Sequence, residues 1–208
     1  MALNGSHRLP STAAAALLAI LSSAGPAPAG TVEIVAIGDS NTYGYNVPRD
    51  GTYPAQLEAA LRARGYDVRI VNAGRNGDMT AEGMARLDEA IPEGTDAAIV
   101  FLGRNDWRKG VPAVTIARNL DVIVANLRSR GLEVLLVGFD PNDFSAVAEK
   151  NGALYYPDFF AGTTTLGRKR GRYVLNGDIG RHLNAEGYTV VVGRMLPFAE
   201  ALVGMAGD

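Results

Sequence analysis

Four short stretches built almost wholly from aliphatic residues recur along the chain, each separated from the next by a segment whose apolar residues fall at helical spacing. TVEIVAI (31–37), VRIVNA (68–73), AAIVFL (97–102) and EVLLVGF (133–139) are too short for stable helices and do not alternate apolar with polar. Runs of that kind are strands covered on both faces. Between them, 53–65, 80–91 and 111–131 carry the 3.6-residue period, with Gly65 and Gly131 placed as helix stops, and a last helix is predicted over 184–203. Strand, helix, strand in this order implies right-handed crossovers, a parallel sheet and helices on both of its faces. No repeat or linker divides the chain from residue 30 onward, so 30–208 reads as one domain.

In an open parallel sheet, ligands bind beyond the carboxyl ends of the strands. The first strand is followed by GDSNTYGY (38–45), the second by NAGRNGD (72–78), the third by GRND (103–106) and the fourth by FDPND (139–143). Singly, such groups are ordinary turn and cap chemistry. Near the end of the chain stands NGDIGRHLNAEGY (176–188), and its His182 is the only histidine beyond residue 7. The chain has no cysteine, which removes disulfides, thiolate nucleophiles and Cys-ligated metals. With two histidines as well, no metal site is apparent and no cofactor motif is found; GRNGD lacks the lysine of a phosphate-binding loop. A formal charge of −2 gives no reason to expect nucleic acid as a partner.

GDSNTYGY, NAGRNGD, GRND and a late His before NAEGY, in that order on an alternating α/β chain, resemble the SGNH hydrolases, also called GDSL-type esterases, and among them the bacterial thioesterase, lysophospholipase and arylesterase branch. The resemblance spans about 32–203 and is weakest over 140–173. It implies a three-layer α/β/α sandwich with a flavodoxin-like parallel sheet. It also implies Ser40 as nucleophile and His182 as base. The oxyanion hole would comprise the backbone N–H groups of Ser40 and Gly77 and the side chain of Asn105.

The chemistry of these residues agrees with such roles. A serine hydroxyl is a weak nucleophile until a neighbouring base takes its proton, and His182 is the base on offer. A tetrahedral intermediate needs N–H donors aimed at its oxygen. Glycine at 77 permits close backbone approach and a positive φ, and Asn105 donates without adding charge. No GxSxG surrounds Ser40, so the strained elbow of the α/β-hydrolases is not expected. Asp39, next to the nucleophile, is expected to stabilise the loop or helix start.

What orients His182 is open at this level. The family places an acid three residues before its histidine, and here that position is Ile179, with Asp178 one residue further back. A helical turn or an extra loop residue absorbed at Gly180 would complete a triad. Otherwise Ser40 and His182 form a dyad.

Tyr156, Phe159 and Phe160, in LYYPDFFAG (154–162), are candidates for an acyl or aryl pocket or for plain core. Arg168, Lys169, Arg170 and Arg172 form a basic loop suited to solvent or to an anionic glycan or lipid headgroup. Residues 1–29 join a weakly cationic start, the apolar run 13–24 and the small-residue site Ala27-Pro28-Ala29, the outline of a signal peptide cleaved near Ala29 or else a disordered Ala/Pro-rich tail. The run is too short to span a bilayer, so no stable membrane anchor is expected and a secreted or periplasmic location is. The expected activity is hydrolysis of short-to-medium acyl or aryl esters, with thioesters and lysophospholipids as further substrates. Two rivals use the same residues: a carbohydrate O-acetyl esterase, and a non-catalytic glycan- or lipid-binding protein whose displaced Asp178 marks a degenerate site. Oligomeric state is not legible in the sequence.

Overall fold

The structure is a computed structural model that describes residues 30–163, 170–178 and 182–207. The expected N-terminal export segment, 1–29, lies outside them. In chain order the elements are β1 (Val32–Gly38), α1 (Ser40–Tyr43), α2 (Tyr53–Arg62), β2 (Val68–Gly74), α3 (Thr80–Ala85), α4 (Leu87–Ala90), β3 (Ala97–Phe101) and α5 (Arg104–Arg108). There follow α6 (Ala113–Ser129), β4 (Glu133–Val137), α7 (Ser145–Lys150), β5 (Leu154–Tyr156), α8 (Arg170–Tyr173) and α9 (Ala185–Ala206).

The five strands are all parallel in the order β2-β1-β3-β4-β5. That is the flavodoxin-like order, with the chain leaving β1 toward one edge and β3 toward the other. Helices α2 and α9 pack on each other against one face, and α3, α6 and α7 lie together on the opposite face. β3 is buried at every residue, and β1 and β4 at all but one, so their sequences are nearly continuous aliphatic runs. Register aligns Gly38 of β1 with Gly74 of β2 and Phe101 of β3, bringing the ends of the three motif-bearing strands level.

Three features depart from the expected pattern. β2 is an edge strand, and residues Arg69, Val71 and Asn72 face solvent instead of being covered on both sides. A fifth, three-residue strand pairs with β4 in the segment read as pocket or core. The helix expected over 80–91 is interrupted at Arg86, whose backbone (φ −108°, ψ 15°) leaves helical geometry while its side chain turns inward.

Helix α9 begins at Asn184, whose side chain accepts from the Gly187 N–H at 2.9 Å, an ordinary N-cap. It is long and apolar enough to cross a membrane by those measures alone. Here Tyr188, Val191, Met195, Ala199 and Leu202 are buried against the sheet and α2. Beneath the site Phe159 stacks on Phe101 with 4.2 Å between centroids and meets Tyr53 and Tyr188 edge-on. Burial of a side chain that size is worth about 1.5–3 kcal/mol, to which aromatic pairing adds about 0.5–1.5.

Candidate active site

The order 2-1-3 places a topological switch point between β1 and β3, the place where a crevice opens at the carboxyl edge of such a sheet. Ser40 lies there as the first residue of α1 and is buried. Asp39 caps that four-residue helix, its Oδ1 accepting from the Asn41 backbone at 2.8 Å and the Asn41 side chain at 3.1 Å. β2 supports the turn from the side. Asn72 donates to the Thr42 carbonyl at 2.7 Å, and at Gly74 the neighbouring backbone is so near that an added Cβ would lie 2.1 Å from the Tyr43 nitrogen. Glycine and asparagine in NAGRNGD therefore fix the nucleophile turn.

His182 reaches Ser40 from the other end of the chain. Its Nε2 lies 2.8 Å from Ser40 Oγ, and its Nδ1 lies 2.8 Å from Asp178 Oδ2. An ionised carboxylate only accepts, so Nδ1 carries the proton and Nε2 receives the serine hydroxyl hydrogen. The four-residue spacing is accommodated by bonds that tie the segment around Asp178 to His182. The Leu175 N–H donates to the His182 carbonyl at 2.9 Å, Val174 bridges Leu183, and the His182 backbone N–H donates to Asp178 Oδ2 at 2.6 Å. One oxygen therefore accepts both the amide and the ring of the same histidine. The alternative of a Ser–His pair with Asp178 turned away does not match this arrangement. The ring of Tyr45 also lies over the imidazole at 4.7 Å, a contact the sequence reading missed.

Asn105 is oriented by two acceptors. Its Nδ2 donates to the Asp78 carbonyl at 2.9 Å and to Asp39 Oδ2 at 3.3 Å, so the groups after β1, β2 and β3 meet at this amide. Gly77, with φ of +83°, lies immediately before Asp78 in a turn closed by the Asp78 N–H to the Arg75 carbonyl at 3.3 Å. Asp106 holds the next segment: its carboxylate accepts from the Thr80 backbone at 2.9 Å and hydroxyl at 2.6 Å at the start of α3. Arg86 and Asp78 form a buried ion pair at 2.6 Å. Removing one member of such a pair costs about 3–5 kcal/mol because the other charge is left uncompensated.

Burial raises the pKa of Asp39, opposed by its bonds to Asn41 and by Arg104 and His182. The folded chain then binds this proton more tightly than the unfolded chain does. The corresponding stability is fully present below the ordinary value of 3.8 and is lost as pH rises through the folded value. Asp39→Asn keeps a capping acceptor and removes the buried charge. Urea unfolding is expected to show the stability of the variant, relative to wild type, to be more favourable at pH 7 than at pH 3; an equal difference at both would count against the shift.

The aromatic candidates divide. Phe160 lines an open cleft of about 760 Å³, with the Arg104 guanidinium 4.4 Å over its ring. Trp107, Tyr155, Val174 and Leu183 share that cleft. Ser40 and His182 are not in its walls, but Arg104 and Leu183 are the chain neighbours of Asn105 and His182, so the cleft adjoins the site. Tyr156 and Phe159 are corrected to core: Tyr156 packs edge-on against Phe198 of α9, and Phe159 is sealed beneath Phe101. β5 is the cause, since a strand pointing Tyr155 to the cleft points Tyr156 the other way. Of the basic segment, Arg168 and Lys169 lie outside the described residues, and Arg172 is paired with Glu186. Among the described residues no group of three His, Asp or Glu side chains is arranged to hold a metal ion.

A parallel α/β/α sheet with a Ser–His–Asp hydrogen-bonded chain at its switch point has the architecture of a serine hydrolase without the strained elbow. The chain belongs to the GDSL-like lipase/acylhydrolase family, whose model matches residues 36–190. It is 32% identical over 106 residues to an arylesterase of Vibrio mimicus and 34% identical over 106 residues to esterase TesA of Pseudomonas aeruginosa. Each match takes in 50% of this chain and 53% of the relative, so the chain spans about half the length of these curated relatives. Among solved structures, AlinE4, an SGNH-hydrolase family esterase, is 31% identical with a TM-score of 0.63, covering 83% of this chain and 97% of its own. A crystal structure of TesA shares the fold at a TM-score of 0.72 and 24% identity, covering 82% of this chain and 99% of its own.

Proposed function

We propose that the chain is a serine esterase that hydrolyses carboxylic esters through an acyl-Ser40 intermediate. The observation that carries this reading is the continuous relay from Ser40 Oγ to His182 Nε2 and from His182 Nδ1 to Asp178, each link 2.8 Å. In the first half-reaction Nε2 takes the hydroxyl proton as Oγ bonds to the ester carbonyl carbon. The resulting imidazolium faces the Asp178 carboxylate. The oxyanion is met by the N–H groups of Ser40 and Gly77 and the Asn105 amide, and collapse expels the alcohol, which takes the proton from Nε2. Water repeats the sequence on the acyl-enzyme, returning the acid and a free Ser40. The displacement of Asp178 gave the non-catalytic reading its only support, and in the structure it does not separate acid from base.

Short-to-medium acyl or aryl esters suit the adjoining cleft, where Trp107, Tyr155 and Phe160 offer aromatic surface. The relatives named as arylesterase and esterase support the same class. The pattern of 1–29 supports an exported enzyme. The test is hydrolysis of p-nitrophenyl acetate: a stoichiometric burst of p-nitrophenol from the wild type and none from Ser40→Ala is expected. No hydrolysis by the wild type across an acyl-length series would sink the proposal.

The resting site already engages both N–H groups of Asn105, and the 3.3 Å bond to Asp39 is the longer of the two. On the esterase reading the oxyanion takes the place of this longer bond, so the donor acts mainly as charge develops. Asn105→Ala is expected to lower kcat by about 10²–10³ with KM little changed. A raised KM at unchanged kcat would assign Asn105 to ground-state binding instead.

A further inference from the structure

Arg86 bonds to the chain on both sides of the site. Its Nε donates to Asp78 Oδ2 at 2.6 Å and its Nη2 to the Gly38 carbonyl at 3.2 Å, and both side chains of the ion pair are more than nine-tenths buried. Gly38 stands two residues before Ser40. Asp78 directly follows Gly77, and its carbonyl accepts from Asn105. A single guanidinium thus connects the strand end two residues before Ser40, the turn that contains Gly77 and, through the Asp78 main chain, the Asn105 amide. The helix expected over 80–91 is interrupted at this residue, whose side chain lies under the loop instead of in solvent.

Stability alone gives little reason for this pair. Apolar residues of similar volume commonly serve as well or better than a buried ion pair, because desolvation offsets much of the attraction. A planar fork fixes the direction of two bonds at once, which neither an apolar pair nor a lysine does. From these observations we infer that Arg86 is a positioning residue of the oxyanion hole, holding the loops after β1 and β2 at the separation the tetrahedral intermediate needs. It does not touch the substrate and acts through Gly38 and Asp78. The inference rests on the esterase reading and extends it to a residue outside the site motifs.

The experiment compares wild type, Arg86→Lys and the double variant Arg86→Met with Asp78→Leu in p-nitrophenyl acetate hydrolysis, with folding followed by circular dichroism. The double variant leaves no buried charge unpaired and keeps the Asp78 main-chain carbonyl, so it is the arm expected to fold whatever happens to Arg86→Lys. Donors displaced by a fraction of an ångström cost rate without costing substrate affinity. In the double variant kcat is expected to fall by about 10- to 100-fold, with KM within about threefold of wild type and an unmoved pH–rate midpoint, since the Ser40–His182 contact is untouched. Arg86→Lys should lose a smaller factor in the same split. A folded double variant with wild-type kcat would overturn the inference, as would a loss carried by KM or by a shifted pH midpoint. A double variant that fails to fold while Arg86→Lys folds with wild-type kcat would assign the pair a purely structural role. An inactive wild type would instead remove the esterase reading itself.

Discussion

Ser40→Ala, His182→Ala and the double variant are expected to lose nearly the same factor of kcat, on the order of 10⁶. The reason is geometric: at 2.8 Å, Oγ and Nε2 share one proton, and neither advances the reaction without the other. Ala at 40 removes the atom that carries the acyl group. Ala at 182 leaves a hydroxyl with no base, since no second histidine lies in the described residues. Rate measurements on purified variants with matched circular dichroism check this. Multiplicative losses would show that the two residues act independently, and appreciable hydrolysis by His182→Ala would show that another base serves Ser40.

Asp178→Asn is expected to preserve the fold and lower kcat by up to about 10⁴. An amide oxygen at this position still accepts the His182 backbone N–H, so the loop closes. What it loses is the negative charge that offsets the imidazolium, and its N–H₂ group can stabilise the wrong tautomer by donating toward Nδ1. KM should change little because the acid acts through His182. A variant within a few-fold of wild type would leave Ser40 and His182 as a working dyad and make the Asp178 contact merely architectural.

The parts of this fold that were legible are those where a single physical demand dominates. β1, β3 and β4 are covered on both faces, so their aliphatic runs admit little other reading. β5 escaped because three residues paired along one side carry no period, and its alternation is what turned Tyr156 into core while leaving Tyr155 at the cleft. Ser40, His182, Asn105 and Gly77 stood out through the order of their motifs. Arg86 and Asp106 did not. An arginine on an amphipathic helix reads as part of the wet face, and an aspartate in GRND reads as a turn residue, when in fact each is buried and bonded to a segment distant in sequence, Arg86 to the Gly38 carbonyl and Asp106 to Thr80. The spacing between Asp178 and His182 was ambiguous because sequence separation measures chain length, whereas proton transfer depends on distance across a closed loop.

That closure also bears on how such a site can change over evolutionary time. With Asp178 Oδ2 clamping both the amide and the ring of His182, and the Leu175 N–H closing on the His182 carbonyl, acid and base are tied to each other and travel together as one cassette. Proton transfer asks one thing of the rest of the chain, the distance from Nε2 to Ser40, beside which the Tyr45 ring lies over the imidazole. Insertions or deletions between β4 and the cassette can reshape the cleft without touching proton transfer. An extra residue inside the loop is neutral so long as one carboxylate oxygen still reaches both nitrogens. Substrate range and acid–base machinery can therefore drift separately.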